Sequence, residues 1–241
     1  MLEWLRRAPD ELPSVTVGAR ELPVVIRRLA QARRMTLRLA PDGSEVRISL
    51  PRWGRTADAL AFAESRADWL AAQLTKIPAT AEIEPGSALH FAGRQMTIDH
   101  QPRAPRRPRI EGDSIVIGGP HDGLGKRLQR WLESEARAAL AADLADYCMR
   151  AGQPAPRLSL SRAQRRWGSC AAAGTIRINW RLIMAPEPVR RAVVAHEVAH
   201  LVHFDHSPQF HALLGELFEG DVPAANRWLK HHGRSLYAPF G

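Results

Sequence analysis

Cysteine is nearly absent from the chain. Cys148 and Cys170 are the only two, too few for a disulfide framework and suited to a reducing compartment, so the sequence predicts a cytoplasmic protein. Long apolar runs are missing as well: the longest fall far short of the roughly 18–20 residues that a membrane-crossing helix needs, so no membrane association is expected. The opening MLEWLRRAPDELP carries charge where a secretion signal would place its apolar segment, and no leader is expected. No repeat recurs at a fixed period, and no long low-complexity tract interrupts the chain. Negative charge is the minority sign, with 25 Asp and Glu against 34 Lys and Arg, a net charge of +9. That excess suits a nucleic-acid surface, but arginine- and alanine-rich globular proteins share it, so it names no partner.

What remains is an ordinary globular composition, 45% hydrophobic and 24% charged over 241 residues. It can bury a sizeable core in one generous domain or two small ones. From Val15 to Leu50 apolar and polar residues alternate as in strands, with turn chemistry at Pro41-Asp42-Gly43. Thr56 to Leu74 reads as one helix with Thr56 as its N-cap. Short strands are expected at Leu89–Phe91, Gln95–Ile98 and Ser114–Ile117. Between them QPRAPRRPRI, with three prolines, reads as an exposed loop. A long helix is expected from Lys126 to about Arg150, stopped by Gly152. RLSLSRAQRRWGSC and TIRINWRLIM then read as two strands joined by a small-residue turn at Ala171–Gly174. Pro186 and Pro188 precede a helix running to about Phe204. The predicted class is α+β, with a strand-rich portion over residues 1–124 and a helical, metal-binding catalytic portion over 125–241.

Histidine is the informative residue: seven of the ten lie between His196 and His232. His196-Glu197-Val198-Ala199-His200 is the H-E-x-x-H pattern on an apolar helix. Residues four apart share a helix face at about 6 Å, so two imidazoles can converge on one ion. Zn2+ takes imidazole nitrogen and, when catalytic, leaves a position open for water. Glu197 points off the line of the histidines, where it can accept a proton from that water.

A third ligand is needed. His203 lies about 7–8 Å further along the axis and is excluded unless the helix breaks. His206 follows His200 by six residues, the metzincin spacing, although His203 stands where metzincins place glycine. Ser207-Pro208 reads as the cap and first position of a new helix, so a break between 203 and 207 is expected, with His206 inside it. His206 is therefore the preferred ligand and Glu216, on the next helix, the rival. His211 reads either as a substrate-facing group or as an ordinary half-buried histidine.

The stretch RRWGSCAAAGTIRINWRLIMAPEPVRRAVVAHEVAHLVHFDHSPQF resembles the YgjP-like metallopeptidase domain, a relative of the SprT-like proteases. The resemblance rests on Trp167-Gly168-Ser169-Cys170, Ile176 to Asn179, the H-E-x-x-H residues and Asp205-His206-Ser207. It extends over about residues 25–235, and it implies a zincin-like catalytic portion that cleaves peptide or protein substrates. By this resemblance His196, His200 and His206 hold zinc and Glu197 is the catalytic acid/base. Asp205 stands where such families carry Asn, and is a candidate to hydrogen-bond a ligand imidazole. The strand Ile176–Asn179 is expected beside the cleft or as a buried internal strand, which makes Asn179 a candidate substrate contact. Trp167 and Cys170 read as core. Oxyanion donors are sought among His211, His231, His232 and Tyr237. Two alternatives stand beside the peptidase. One is a metal-dependent nucleoside triphosphate pyrophosphohydrolase, for which Arg103, Arg106, Arg107 and Arg109 would suit phosphate. The other is a nucleic-acid-associated protease or binding module.

Overall fold

The computed structural model describes residues 12–40, 43–75, 82–164, 166–171 and 174–240. The first eleven residues, most of the Pro41-Asp42-Gly43 turn and the middle of the Ala171–Gly174 turn lie outside them. The architecture is α+β, with strand-rich sheets toward the N-terminus and helices toward the C-terminus. The chain separates into two compact units, Met1–Ala79 and Thr80–Gly241.

In the first unit, strands β1 (Ser14–Val17), β2 (Arg20–Leu29), β3 (Thr36–Leu39) and β4 (Val46–Pro51) form a sheet in the order β1-β2-β4-β3. Period-two alternation turns Val15, Val17, Leu22, Val24, Val46, Ile48 and Leu50 into one buried face. Ala59, Ala63 and Leu70 from helices α1 (Thr56–Glu64) and α2 (Ala67–Leu74) complete that core. The single helix expected over 56–74 is thus two. Ser65 Oγ donates to the Phe62 carbonyl and Arg66 leaves helical geometry at φ −112°, ψ 12°. Thr56 is the first helical residue, Arg55 being the cap. The Thr56 hydroxyl accepts instead from Arg28 Nη2 at 2.8 Å.

The second unit opens with β5 (Ala88–Phe91), β6 (Arg94–His100), β7 (Arg109–Glu111) and β8 (Ser114–Ile117), ordered β5-β6-β8-β7. Both four-stranded sheets carry the same sequence of pairings: antiparallel, parallel, antiparallel. The repetition is one of strand order, not of residues at a fixed spacing. Arg109 and Ile110, expected in the proline-rich loop, begin β7 once Pro108 is passed. Helix α3 (Leu124–Arg150) then runs 27 residues, burying Leu128, Leu132, Ala136, Leu140 and Leu144 at four-residue intervals. It stops at Gly152, whose φ of +62° a side chain would resist.

The segment expected to be one strand before the small-residue turn is two: β9 (Arg157–Ser161) and β10 (Gly168–Cys170). Strand β11 (Thr175–Asn179) lies between them, parallel to β9 and antiparallel to β10. A 3₁₀ turn at Trp180–Ile183 leads to helices α4 (Glu187–Ala199), α5 (Pro208–Leu217) and α6 (Val222–His232), and a second 3₁₀ turn follows at Gly233–Tyr237. One apolar core joins the β5–β8 sheet, α3, β11 and α4 through Ile98, Ile117, Leu132, Ile178, Val194 and Val198. Among the described residues no helix is long and apolar enough to cross a membrane.

Candidate metal centre

Helix α4 is held at its start and along its flank before any chemistry is considered. At its start, the β5–β6 turn donates from Ala92 N to Ile183 O (2.8 Å) and from Gly93 N to Met184 O (3.2 Å). Gly93 sits so tightly on Pro186 that a Cβ there would lie 2.8 Å from the proline Cα. Along its flank, the buried Arg190 guanidinium donates to Asp143 of α3 at 2.7 Å. Arg191 bridges Asp146 of α3 (2.8 Å) and Glu219 beyond α5. The helix carrying the histidines is therefore tied to α3 and to the residues after α5.

Helix α4 ends at Ala199, five residues before the expected Phe204. His200 caps it, and a tight turn follows as Val202 N and His203 N both donate to Ala199 O. The early break decides what His203 does. Its carbonyl oxygen lies 3.0 Å from His200 Nδ1. A carbonyl can only accept, so the His200 proton sits on Nδ1 and its Nε2 lone pair is left for a metal. Ser207 then caps α5, its Oγ accepting from Phe210 N at 3.4 Å with Pro208 at the first turn. His206 is held between turn and cap.

The result is convergence. His196 Nε2 lies 3.2 Å from His200 Nε2 and 3.3 Å from His206 Nε2. A tetrahedral ion with arms of about 2.0–2.1 Å requires donors about 3.3–3.4 Å apart, so both separations from His196 suit one zinc-sized cation, and all three nitrogens lie within 4.8 Å of one another. Among the described residues they are the group of histidine, cysteine or carboxylate side chains that could hold a metal. Glu216 is not in it. Phe210, fully buried, supports all three rings, with centroids 5.0, 4.6 and 4.8 Å from those of His196, His200 and His206. Burial, helped by the neighbouring imidazoles, pushes the His196 pKa down to about 4, which keeps its ring neutral.

Glu197, next to His196, turns inward against β10. A Cβ on Gly168 would come 2.3 Å from Glu197 Oε1, so glycine is what lets the carboxylate lie against the strand. Burial pushes its pKa up to about 7, against the pull of the Cys170 backbone amide and the Arg166 charge. Its Oε2 is buried with no hydrogen-bond partner among the described residues, a costly state for a carboxylate oxygen unless it serves a ligand. Beside it opens a cavity of about 200 Å³, lined by His196, Glu197, Trp167 and Gly168 and by Val222, Ala225 and Leu229 of α6, among others. None of Arg103, Arg106, Arg107 and Arg109 lines that cavity.

Several sequence candidates sit elsewhere. Asn179 is fully buried, and its side chain bonds Ala163 O, Tyr237 Oη and Arg181 N, so it secures the end of β11. Strand β11 is the internal strand of the two readings, and β10 and β9 are the edges. Tyr237 is occupied by Ala163 O and Asn179, which removes it as a free oxyanion donor. Asp205 accepts from Ser207 N (3.4 Å), and that contact with Ser207 holds its carboxyl below the usual range. His211 is exposed, its ring centroid 6.3 Å from that of His206. His231 and His232 are exposed and do not line the cavity. The Cys170 pKa is pushed up by burial and by Glu197, so its thiol stays protonated. Sequence reasoning missed Gly168, Phe210 and the α6 wall. Gly168 left a trace inside the Trp167-Gly168-Ser169-Cys170 segment, and Phe210 closes the stretch that carries the resemblance.

A family model described as "YgjP-like, metallopeptidase domain" matches residues 33–232. No curated protein and no solved structure matches the chain.

Proposed function

The chain belongs to the YgjP-like metallopeptidase domain family, and from that membership we infer that it is a zinc-dependent peptidase whose second unit is a zincin-like catalytic domain. The observation that carries this reading is the convergence of three imidazole nitrogens, His196 Nε2 lying 3.2 and 3.3 Å from those of His200 and His206, beside the buried Glu197. His196, His200 and His206 would hold the ion. When bound, it supplies Lewis acidity toward water and toward a peptide carbonyl. Glu197 takes the proton of the attacking water and returns it to the leaving amine. His203, through its carbonyl, keeps His200 in the ligating tautomer. Strand β10 borders the site as a sheet edge, and an extended peptide would pair with it through backbone hydrogen bonds. The free cysteines suit the cytoplasm.

The test is a metal count on purified protein, with casein-type substrates and nucleoside triphosphates offered in parallel. One zinc per chain and peptide cleavage are expected. Glu197→Gln should keep the metal and lose about 10²–10⁴-fold in rate, whereas His200→Ala should lose the metal. Nucleotide hydrolysis without peptide cleavage, or full activity in Glu197→Gln, would overturn the reading.

A further inference from the structure

The cavity beside Glu197 has a chemistry of its own. Its walls are Trp167, Ala192 and Val193 on one side and Val222, Ala225 and Leu229 on the other. Among the described residues Glu197 is the only charged side chain that lines it, and Asn226 is an exposed polar member. At about 200 Å³ it is smaller than the roughly 300–1,000 Å³ that encloses a drug-sized molecule, so it suits one side chain rather than a nucleotide. The position is fixed from both sides. Gly233 packs under the Trp167 ring, where a Cβ would come within 2.8 Å of the indole, and Trp167 leans on Tyr237. Helix α6 is set by Asp221, whose Oδ1 accepts from Ala224 N at 2.9 Å.

We propose that this cavity is the specificity pocket of the site, taking one apolar side chain (Leu, Ile, Met or Phe) from the residue next to the scissile bond. The proposal rests on the peptidase reading. A lining of valine, alanine, leucine and tryptophan gains from apolar burial, and beside Glu197 it offers a carboxylate side chain no partner. Asn226 borders the space without filling it, so a charge placed there alters selection while the apolar walls stay intact. Ala225 is the small residue of the α6 wall, and enlarging it shortens the side chain that fits.

The experiment uses the metal-loaded full chain and a peptide library randomised on both sides of the cut, read by mass spectrometry. Cleavage should favour large apolar residues over Asp and Glu at one flanking position by about tenfold or more. Ala225→Met should shift that position toward Gly and Ala, and Asn226→Lys, at an exposed site, should admit Asp and Glu. Direct binding of the same peptides to metal-loaded Glu197→Gln, followed by calorimetry, reads the pocket even if no bond is cut. Leucine peptides should bind at least about tenfold tighter than aspartate peptides, and Asn226→Lys should narrow the gap. Equal affinities, or a preference that neither variant moves, would overturn the pocket. Leucine-selective binding without cleavage by the parent protein would support the pocket and overturn the peptidase reading.

Discussion

The Glu197 carboxylate and the Cα of Gly168 are so close that a single added carbon on the glycine would come 2.3 Å from Oε1. The general-base candidate is therefore placed by two elements at once: α4 presents it and β10 limits where it can go. A small residue on the strand is a condition of the geometry around the histidines.

Gly168→Ala should therefore damage hydrolysis while sparing the metal. The methyl group must displace the carboxylate, and a misplacement of about 1 Å can cost about 10²-fold in rate. Kinetics on a peptide substrate combined with zinc stoichiometry checks this. Unchanged kcat/KM would show that Glu197 needs no such seat.

Phe210 touches all three imidazoles and is fully buried. Phe210→Ala should destabilise the metal-free protein by about 3–5 kcal/mol and weaken zinc binding, because the rings lose their common support. Phe210→Leu should recover most of the stability but less of the affinity. Urea unfolding without metal and a competitive zinc titration separate the two effects.

The Asp143–Arg190 pair, 2.7 Å apart with both side chains buried, fixes α4 on α3. Asp143→Ala should cost about 3–5 kcal/mol, since it leaves the buried Arg190 guanidinium with the exposed Glu187 carboxylate 3.9 Å away. Replacing both members together, with Asp143→Leu and Arg190→Met, should recover much of that loss. Chemical denaturation of the two variants, compared with the parent, gives the answer.

Asp146 has a folded-state pKa below the ordinary 3.8, first because Arg191 donates to it, with Arg150 adding and burial opposing. A lowered carboxylate pKa contributes stability that is present above the unfolded value and lost as pH falls through the folded one. Asp146→Asn should thus be less stable than the parent near neutral pH, with the gap closing below about pH 4. Thermal unfolding across that range tests the sign; a gap that widens on acidification would contradict it.

Residue spacing carried the core of the site. The interval from His196 to His200 is a property of any helix, and the Ser207-Pro208 start of α5 signalled that the chain turns near His206. The exact end of α4 was not readable. Leu201 and Val202 continue an apolar pattern that suits a helix as well as the turn they form, so the part played by the His203 carbonyl needed coordinates. Strands β9 and β10 looked like one because both run through short polar-apolar alternations. Their separation depends on β11 pairing with each in opposite directions, a long-range choice. Asn179 was a candidate substrate contact on the reading that its strand borders the cleft, the other reading being a buried internal strand. Its three partners, one of them 58 residues away, satisfy it in the core instead.

The turn at Ala92-Gly93 grips the residues just before α4, and Leu89, Met96 and Ile98 share a core with that helix. A truncation starting at α3 would keep every histidine of the triad and yet remove the clamp that sets their helix. The shortest fragment worth expressing for enzymology begins ahead of β5, close to Thr80.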